Sequence, residues 1–321
     1  MIEILLATYN GERFLPEQIE SILAQSYRDF KISASDDDSE DYTLEILRGY
    51  ENAPRNKMKV SVSSSRSARE NFYNLLDNAD ADYICLSDQD DYWETDKLEK
   101  SLNAMKIFED EYGSDIPILI HSDLEITDEN LVHKGRMRDV NGIKKFLKNA
   151  VKIQGNEKLY RINNKRNLAR LLVENNITGN TVIFNQALLK LYRRPKISLM
   201  HDWWLGILAY TFGRVGYIDE ELVKYRQHEY NELGVKSLSL KERMKNKEKI
   251  RKNYDAMFSQ VEEFLRLYSN EIISAKMDVY KVLKAFYDIK NKNRILKVID
   301  ICKYGFFKSK LIYTIGEMLN I

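Results

Sequence analysis

Four times within the first 90 residues a short apolar run of strand character gives way to a helical segment or a polar cluster, and few architectures accept that alternation. "EILLAT" reads as a strand, and "LPEQIESILAQS" follows it with Leu15, Ile19, Ile22 and Leu23 at helical spacing and Pro16 near the helix start. "FKISAS" leads through "DDDSED" into the helical "YTLEILRGY". "KMKVSVSS" precedes "ARENFYNLLDNA", and "DYICLS" ends at three carboxylates. Strands separated by helices are joined by crossovers rather than hairpins, so the expected fold is α/β, a mostly parallel, doubly wound sheet.

The pattern continues with strand-like "IPILIHSDLEI", "NTVIFN" and "RVGYIDEELVKY", and with helices at about "NKRNLARLLVEN" and "HDWWLGILAYTF". From about Ser237 the strand signals fade, and Phe258, Val261, Leu265, Tyr268 and Ile272 step by three and four, as one apolar helix face does. The expected organisation is an α/β domain over 1–235, with halves at 1–115 and 116–235, and a helical region over 236–321. Only 4 Pro and 13 Gly occur in 321 residues, which argues against a long flexible linker.

In such sheets ligands bind outside the carboxyl ends of the strands, where the strand order reverses. Three polar clusters fall at those ends: "ATYNGE", "SDDDSED" and "SDQDD". Carboxylates gathered in one crevice repel each other unless a hard cation is bound, and Asp-x-Asp at a strand end suits Mg²⁺ or Mn²⁺ shared with substrate phosphates. Charge agrees: residues 1–120 carry 26 Asp and Glu against 12 Lys and Arg, so no nucleic-acid groove is expected there. Residues 236–321 reverse the balance, with 19 basic side chains against 10 acidic. That tail reads as a solvated helix face or as a peripheral contact with anionic membrane.

Other chemistries fit less well. Cys85 and Cys302 stand far apart, with no zinc or disulfide spacing. The "DDDSED" run fails as an EF-hand, because Leu47 stands where the twelfth position from Asp36 requires Glu. The same run serves equally as the cap and acidic first turn of the helix that follows it. Trp203 and Trp204 read as core or as acceptor-facing packing. With no signal-like apolar stretch at "MIEILLATYN", the chain is expected in the cytoplasm, at the inner face of the cell membrane if the basic tail meets lipid.

Taken in order, "ATYNG" at 7–11, "SDDDSED" at 35–41, "SDQDDYW" at 87–93, "ITGNTVIFN" at 177–185, "HDWW" at 201–204 and "YRQH" at 225–228 resemble the family 2 glycosyltransferases, and more narrowly their bacterial rhamnosyltransferase-like branch. The resemblance covers roughly residues 1–235. It implies a GT-A fold with a nucleotide-binding half, an acceptor half and a divalent metal, Mn²⁺ or Mg²⁺, between them. By the same resemblance Thr8, Tyr9 and Glu12 lie beside the nucleotide, Asp36 contacts the base, and Asp88 and Asp90 form the ribose and metal motif. Gly179 lies in a loop facing the donor sugar, His228 touches the metal or diphosphate, and Asp202 is the catalytic base. Two departures stand out: Asp38 occupies a turn position where members carry Gly, and "EYNELG" replaces the usual residues after His228.

The residue types suit that chemistry. Transfer from a nucleotide-sugar needs a neutralised diphosphate leaving group and one carboxylate that takes the acceptor proton, with no second carboxylate across the bond. The expected partners are a nucleotide-sugar donor, dTDP-rhamnose first among them, and a saccharide acceptor, lipid-linked or part of a growing surface polysaccharide. Two alternatives come from other classes. A nucleotidyltransferase would show a Gly-rich basic loop where "TYNGERF" has one Gly and one Arg. A non-catalytic assembly module would tolerate loss of the carboxylates, all of which are present.

Overall fold

In the computed structural model, which describes residues 1–53, 57–140, 147, 150–153, 155, 156, 158–162, 165–229 and 247–308, β1 (Ile2–Thr8) is buried along its whole length. A strand apolar on both faces needs neighbours on both edges and cover above and below. It pairs in parallel with β2 (Phe30–Asp36), from Ile2 opposite Phe30 to Thr8 opposite Asp36. β3 (Met58–Val62) continues the sheet beyond β2, and β4 (Tyr83–Ser87) lies on the other side of β1. Helices Leu15–Leu23, Thr43–Glu51 and Ala68–Asn78 make the crossovers.

The sheet then takes in β5 (Tyr92–Trp93), β6 (Ile118–Thr127), β7 (His133–Arg136), β8 (Val151–Lys152), β9 (Leu159–Arg161), β10 (Val182–Asn185) and β11 (Arg214–Arg226). The order is β3-β2-β1-β4-β10-β6-β11-β9-β8, with β5 on β11 and β7 on β6. Strands β3, β2, β1, β4, β6 and β11 all run one way, so the centre is mostly parallel, as expected. β10 is antiparallel to both of its neighbours. Its reversal has a use: an antiparallel strand brings its entry loop, not its exit, to the edge where the parallel strands end. Residues 178–181 therefore reach that edge.

The sheet is covered on both faces. One core gathers Ile4, Leu6, Ile32, Trp93, Met105, Phe108 and Ile120. Its helix, Lys97–Tyr112, falls where the sequence reading places no element. The other core joins Leu5, Phe72, Leu86 and Phe184 to the helices Lys165–Leu171 and His201–Phe212, and it continues into helices Lys247–Ala275 and Met277–Asp288. The described part of the tail, residues 247–308, is thus mainly helical, as its periodicity indicates, and shares the core of the sheet. The contact face of Lys247–Ala275 is centred on Phe258, Val261, Phe264, Tyr268 and Ile272, all buried, whereas Leu265 is half-buried at its margin. The boundary expected between 235 and 236, and Ser237 with it, lies outside the described residues. No helix among the described residues is long and apolar enough to cross a membrane.

Phe264 stands edge-on to Trp204, ring centroids 5.2 Å apart, and 4.9 Å from Tyr268. Phe264→Ala leaves a cavity between the tail and the helix His201–Phe212 and is expected to cost about 3–5 kcal/mol. Urea unfolding checks this through a single transition with a lowered midpoint. A second, separate transition would mean that the tail folds apart from the sheet.

Candidate active site

The carboxyl ends of β1 and β4, where the order 3-2-1-4 reverses, open onto a cleft of about 510 Å³. Its wall includes Thr8, Tyr9, Asp37, Asn71, Asp88, Asp90, Gly179, His201, Asp202 and Tyr225. Of the residues that the sequence singles out, Thr8, Tyr9, Asp88, Asp90, Gly179 and Asp202 come together here. Asp36, Glu12 and His228 are not part of the wall.

Asp36 is buried for a reason that its strand supplies. It shares the inward face of β2 with Phe30, Ile32 and Ala34, and its carboxylate accepts from Thr8 Oγ1 at 3.0 Å and from Ser39 N and Oγ at 3.0 and 2.6 Å. Asp37, one residue on, reaches the cleft, and it accepts from Ser63 Oγ at 2.6 Å and from the backbone N–H groups of Ser65 and Ser67 at 2.7 and 2.8 Å. These bonds outweigh burial and hold its carboxyl below the usual carboxylate range. Asp38 takes φ +64°, so the glycine-type turn persists without glycine; Asp is among the few side chains that tolerate that region.

The loop after β1 is laced to the loop after β2. Ser39 Oγ accepts from Asn10 N at 2.9 Å, and Asn10 Oδ1 accepts from Glu40 N at 2.8 Å. Gly11 N donates to Thr43 Oγ1 at 2.7 Å. Glu12 N donates to Asp41 Oδ2 and Glu12 Oε2 accepts from Tyr42 N, both at 3.0 Å. Glu12 thereby closes the start of helix Thr43–Glu51 and does not line the cleft. Gln89 ties in β4 by pairing both its amide atoms with the backbone of Tyr9 at 2.8 Å, so close to Gly11 that a Cβ there would collide with the amide.

The three carboxylates after β4 have different surroundings. Asp88 and Asp90 face the cleft, and Asp90 Oδ2 lies 2.9 Å from His228 Nε2. Asp91 points inward, fully buried, where it accepts from Asn180 Nδ2 and from Arg226 N. Burial and the charges of Asp90 and Asp88 push its carboxyl far above the usual range. Arg226, itself buried, donates to the carbonyl oxygens of Asp90 and Glu129 and pairs with Glu17, while stacking over Phe14. Reading "YRQH" for its histidine alone misses this arginine.

Asp202 opens the helix His201–Phe212 and is buried. It accepts from Gly179 N at 3.1 Å, Asn175 Nδ2 at 3.1 Å and Trp203 N at 2.6 Å. Even so, burial raises its carboxyl from 3.8 to about 6. Gly179 is needed for closeness: a Cβ there would stand 3.0 Å from His201 Nε2 and 3.7 Å from Asp202 Cβ. His201 stacks on Phe72 with centroids 3.8 Å apart, and burial lowers it to about 3, so it is neutral at any working pH. Trp203 and Trp204 are buried, Trp203 donating to the Leu171 carbonyl.

No group of three or more metal-ligating side chains converges among the described residues. The donor set still fits one kind of ion. Mg²⁺ and Mn²⁺ are commonly held by one or two carboxylates with substrate phosphates completing the shell, and Asp88 and Asp90 offer hard oxygens at the cleft wall. Burial is the main cause of the upward push on Asp91, and the charges of Asp90 and Asp88 add to it, a part that a cation at that pair would relieve.

Residues 3–156 match the family described as Glycosyl transferase family 2. A dTDP-rhamnosyl transferase of Shigella flexneri, RfbG, is 31% identical over 248 residues, which span 75% of this chain and 77% of that protein. Among solved structures, residues 1–349 of Staphylococcus aureus TarS in complex with UDP-GlcNAc superpose with a TM-score of 0.57 at 17% identity, over 99% of this chain and 88% of that one. TarS is a poly(ribitol-phosphate) beta-N-acetylglucosaminyltransferase. The mannosyltransferase PcManGT of Pyrobaculum calidifontis, in complex with GDP-Man and Mn²⁺, gives 0.51 at 14% identity, over 99% and 83%. The two structural likenesses show the GT-A fold.

The raised carboxyl of Asp202 has a thermodynamic sign. The folded chain binds that proton more tightly than the unfolded one. The associated stability is therefore full below pH 3.8 and is lost as pH rises to about 6, a change of about 3 kcal/mol. Denaturant unfolding over that pH window is expected to show this loss in the wild type and not in Asp202→Asn.

Proposed function

The chain belongs to glycosyltransferase family 2, and from that premise we propose an inverting, metal-dependent enzyme. It moves a sugar, rhamnose from a dTDP-sugar as the first assignment, onto a saccharide acceptor that is lipid-linked or part of a growing surface polysaccharide. The likeness to a dTDP-rhamnosyl transferase supports the donor. The polymer named in the description of TarS supports an acceptor of that size.

One observation carries the reading: a single raised carboxyl, Asp202, shares a cleft with the ionisable pair Asp88 and Asp90. A base must be ionised at the working pH and yet be more basic than an ordinary carboxylate, and a value near 6 meets both demands. In the proposed step the acceptor hydroxyl gives its proton to Asp202. Its oxygen bonds the anomeric carbon while the bond to the diphosphate breaks, and the electron pair leaves with the diphosphate. One displacement inverts the anomeric centre, so no second carboxylate is required.

Asp90 and Asp88 would hold the Mn²⁺ or Mg²⁺, with His228 on Asp90 as the orienting partner. Such an ion supplies positive charge against the leaving diphosphate. Asp37 and Thr8 would face the nucleoside end, and Asp36 fixes Thr8 from behind. Gly179 holds Asp202 by its N–H and leaves room for the donor sugar. His201, uncharged beside Asp202, adds no positive field that would lower the base. A nucleotidyltransferase is disfavoured because the one Arg after β1, Arg13, pairs with Glu129 at 3.0 Å and is absent from the cleft wall.

Separate experiments test the metal and the base. Calorimetry with dTDP or UDP is expected to show binding with Mn²⁺ and none in excess chelator, and Asp90→Ala is expected to abolish the metal-dependent part. Equal binding in chelator removes the metal from the scheme.

For the base, Asp202→Asn keeps the shape and lowers transfer by roughly 10²–10⁴-fold while donor affinity holds. In the wild type kcat/KM is expected to rise with pH through about 6 and level off above it, as the carboxyl ionises. NMR of the product anomer must report inversion; retention would require another mechanism.

A further inference from the structure

The helix Arg294–Tyr304 is turned inside out. Ile295 is 74% exposed, Leu296 46% and Ile299 51%, and Cys302 next along the same side is exposed. Lys297 and Asp300 are buried against the protein instead, with Asp300 paired to Lys292. Fraying does not explain this. Asn293 caps the first turn by accepting from Leu296 N at 3.0 Å, and Gly305 closes the last turn in the left-handed region at φ +84°. Ile301 and Phe306 anchor the inner side.

Charge says what such a face meets. Residues 276–308 carry nine Lys and Arg against three Asp, and Arg294 and Lys303 flank the stripe in exposed positions. A second copy of the chain would bring the same basic surface against itself. A nucleic acid would gain nothing from three exposed aliphatic side chains. An anionic lipid surface matches both features, because aliphatic side chains enter the boundary between headgroups and acyl chains while Lys and Arg meet the lipid phosphates.

We propose that Ile295, Leu296 and Ile299, flanked by Arg294 and Lys303, form a docking face for an anionic phospholipid membrane. With a short helix and three large apolar side chains, binding is reversible and depends on both the apolar and the charged contributions. The inference stands on this helix alone and does not depend on the catalytic reading.

Flotation of the full chain with vesicles tests it. Equal parts of phosphatidylcholine and phosphatidylglycerol are expected to carry the protein upward, with partitioning about tenfold or more weaker on phosphatidylcholine alone or in high salt. Ile295→Ser with Ile299→Ser is expected to reduce partitioning by about tenfold or more, with no change in the thermal midpoint, since both side chains already face solvent. Absence of flotation, equal flotation on neutral vesicles, or an unaffected double variant would overturn the proposal. So would a lowered thermal midpoint in that variant, which would mean that the stripe is covered and not open to solvent. Light scattering that shows a dimer dissociated by the same substitutions would assign the face to a second copy.

Discussion

Three carboxylates stand within four residues at the end of one strand, and the backbone that carries them is pinned by Arg226. Its backbone N–H meets Asp91 and its guanidinium fixes the carbonyl of Asp90, the carbonyl of Glu129 and the carboxylate of Glu17. A buried cation with so many partners is costly to bring out of water and costlier to leave unpaired, so the surrounding backbone must close around it. β11 is built to deliver it. The strand runs for 13 residues beside β6, from Arg214 opposite Ile118 to Arg226 opposite Thr127, with irregularities in register after Ile218 and after Glu221, and its last residue meets the loop that follows β4. Asn180, from the entry to the reversed β10, supplies the other clamp on Asp91.

The result is a division of labour among carboxyl groups set by surroundings rather than by residue type. Asp88 and Asp90 line the wall, with His228 beside Asp90. Asp202 sits in a drier corner made by Phe72, His201 and the tryptophan helix, where burial outweighs three hydrogen bonds and lifts its carboxyl. Environments that push the pKa values of nearby groups apart let one cleft hold carboxyl groups of different character. Asp37, held low by serine hydroxyls and backbone N–H groups, is a third setting in the same cleft.

Much of this is legible in the sequence, and the failures have physical causes. The first four strands and their crossovers are clear because each couples a short apolar run to a change of period at a polar cluster. The helix Lys97–Tyr112 escapes because charged residues dilute it, although Leu98, Leu102, Met105, Phe108 and Tyr112 keep the spacing. The direction of β10 has no signature in three apolar residues and an asparagine. For the aspartates at the end of β2, counting by twos from Phe30 puts Asp36 on the side of Ile32 and Ala34 and Asp37 on the opposite side, and of the two only Asp37 lines the cleft, so a periodicity argument separates what a motif match merges. Arg226 and Asn180 act through neighbours distant in the chain, which no local pattern reveals.

The lacing of Asn10, Gly11 and Glu12 to Ser39, Glu40, Asp41, Tyr42 and Thr43 bears on how such a chain can change over generations. Each bond uses a backbone group on one loop and a side chain on the other, in both directions. Exchanging one side chain orphans a donor on the facing loop, and that loss persists until a second substitution answers it. The two loops therefore constrain each other, so that a change on one is felt on the other.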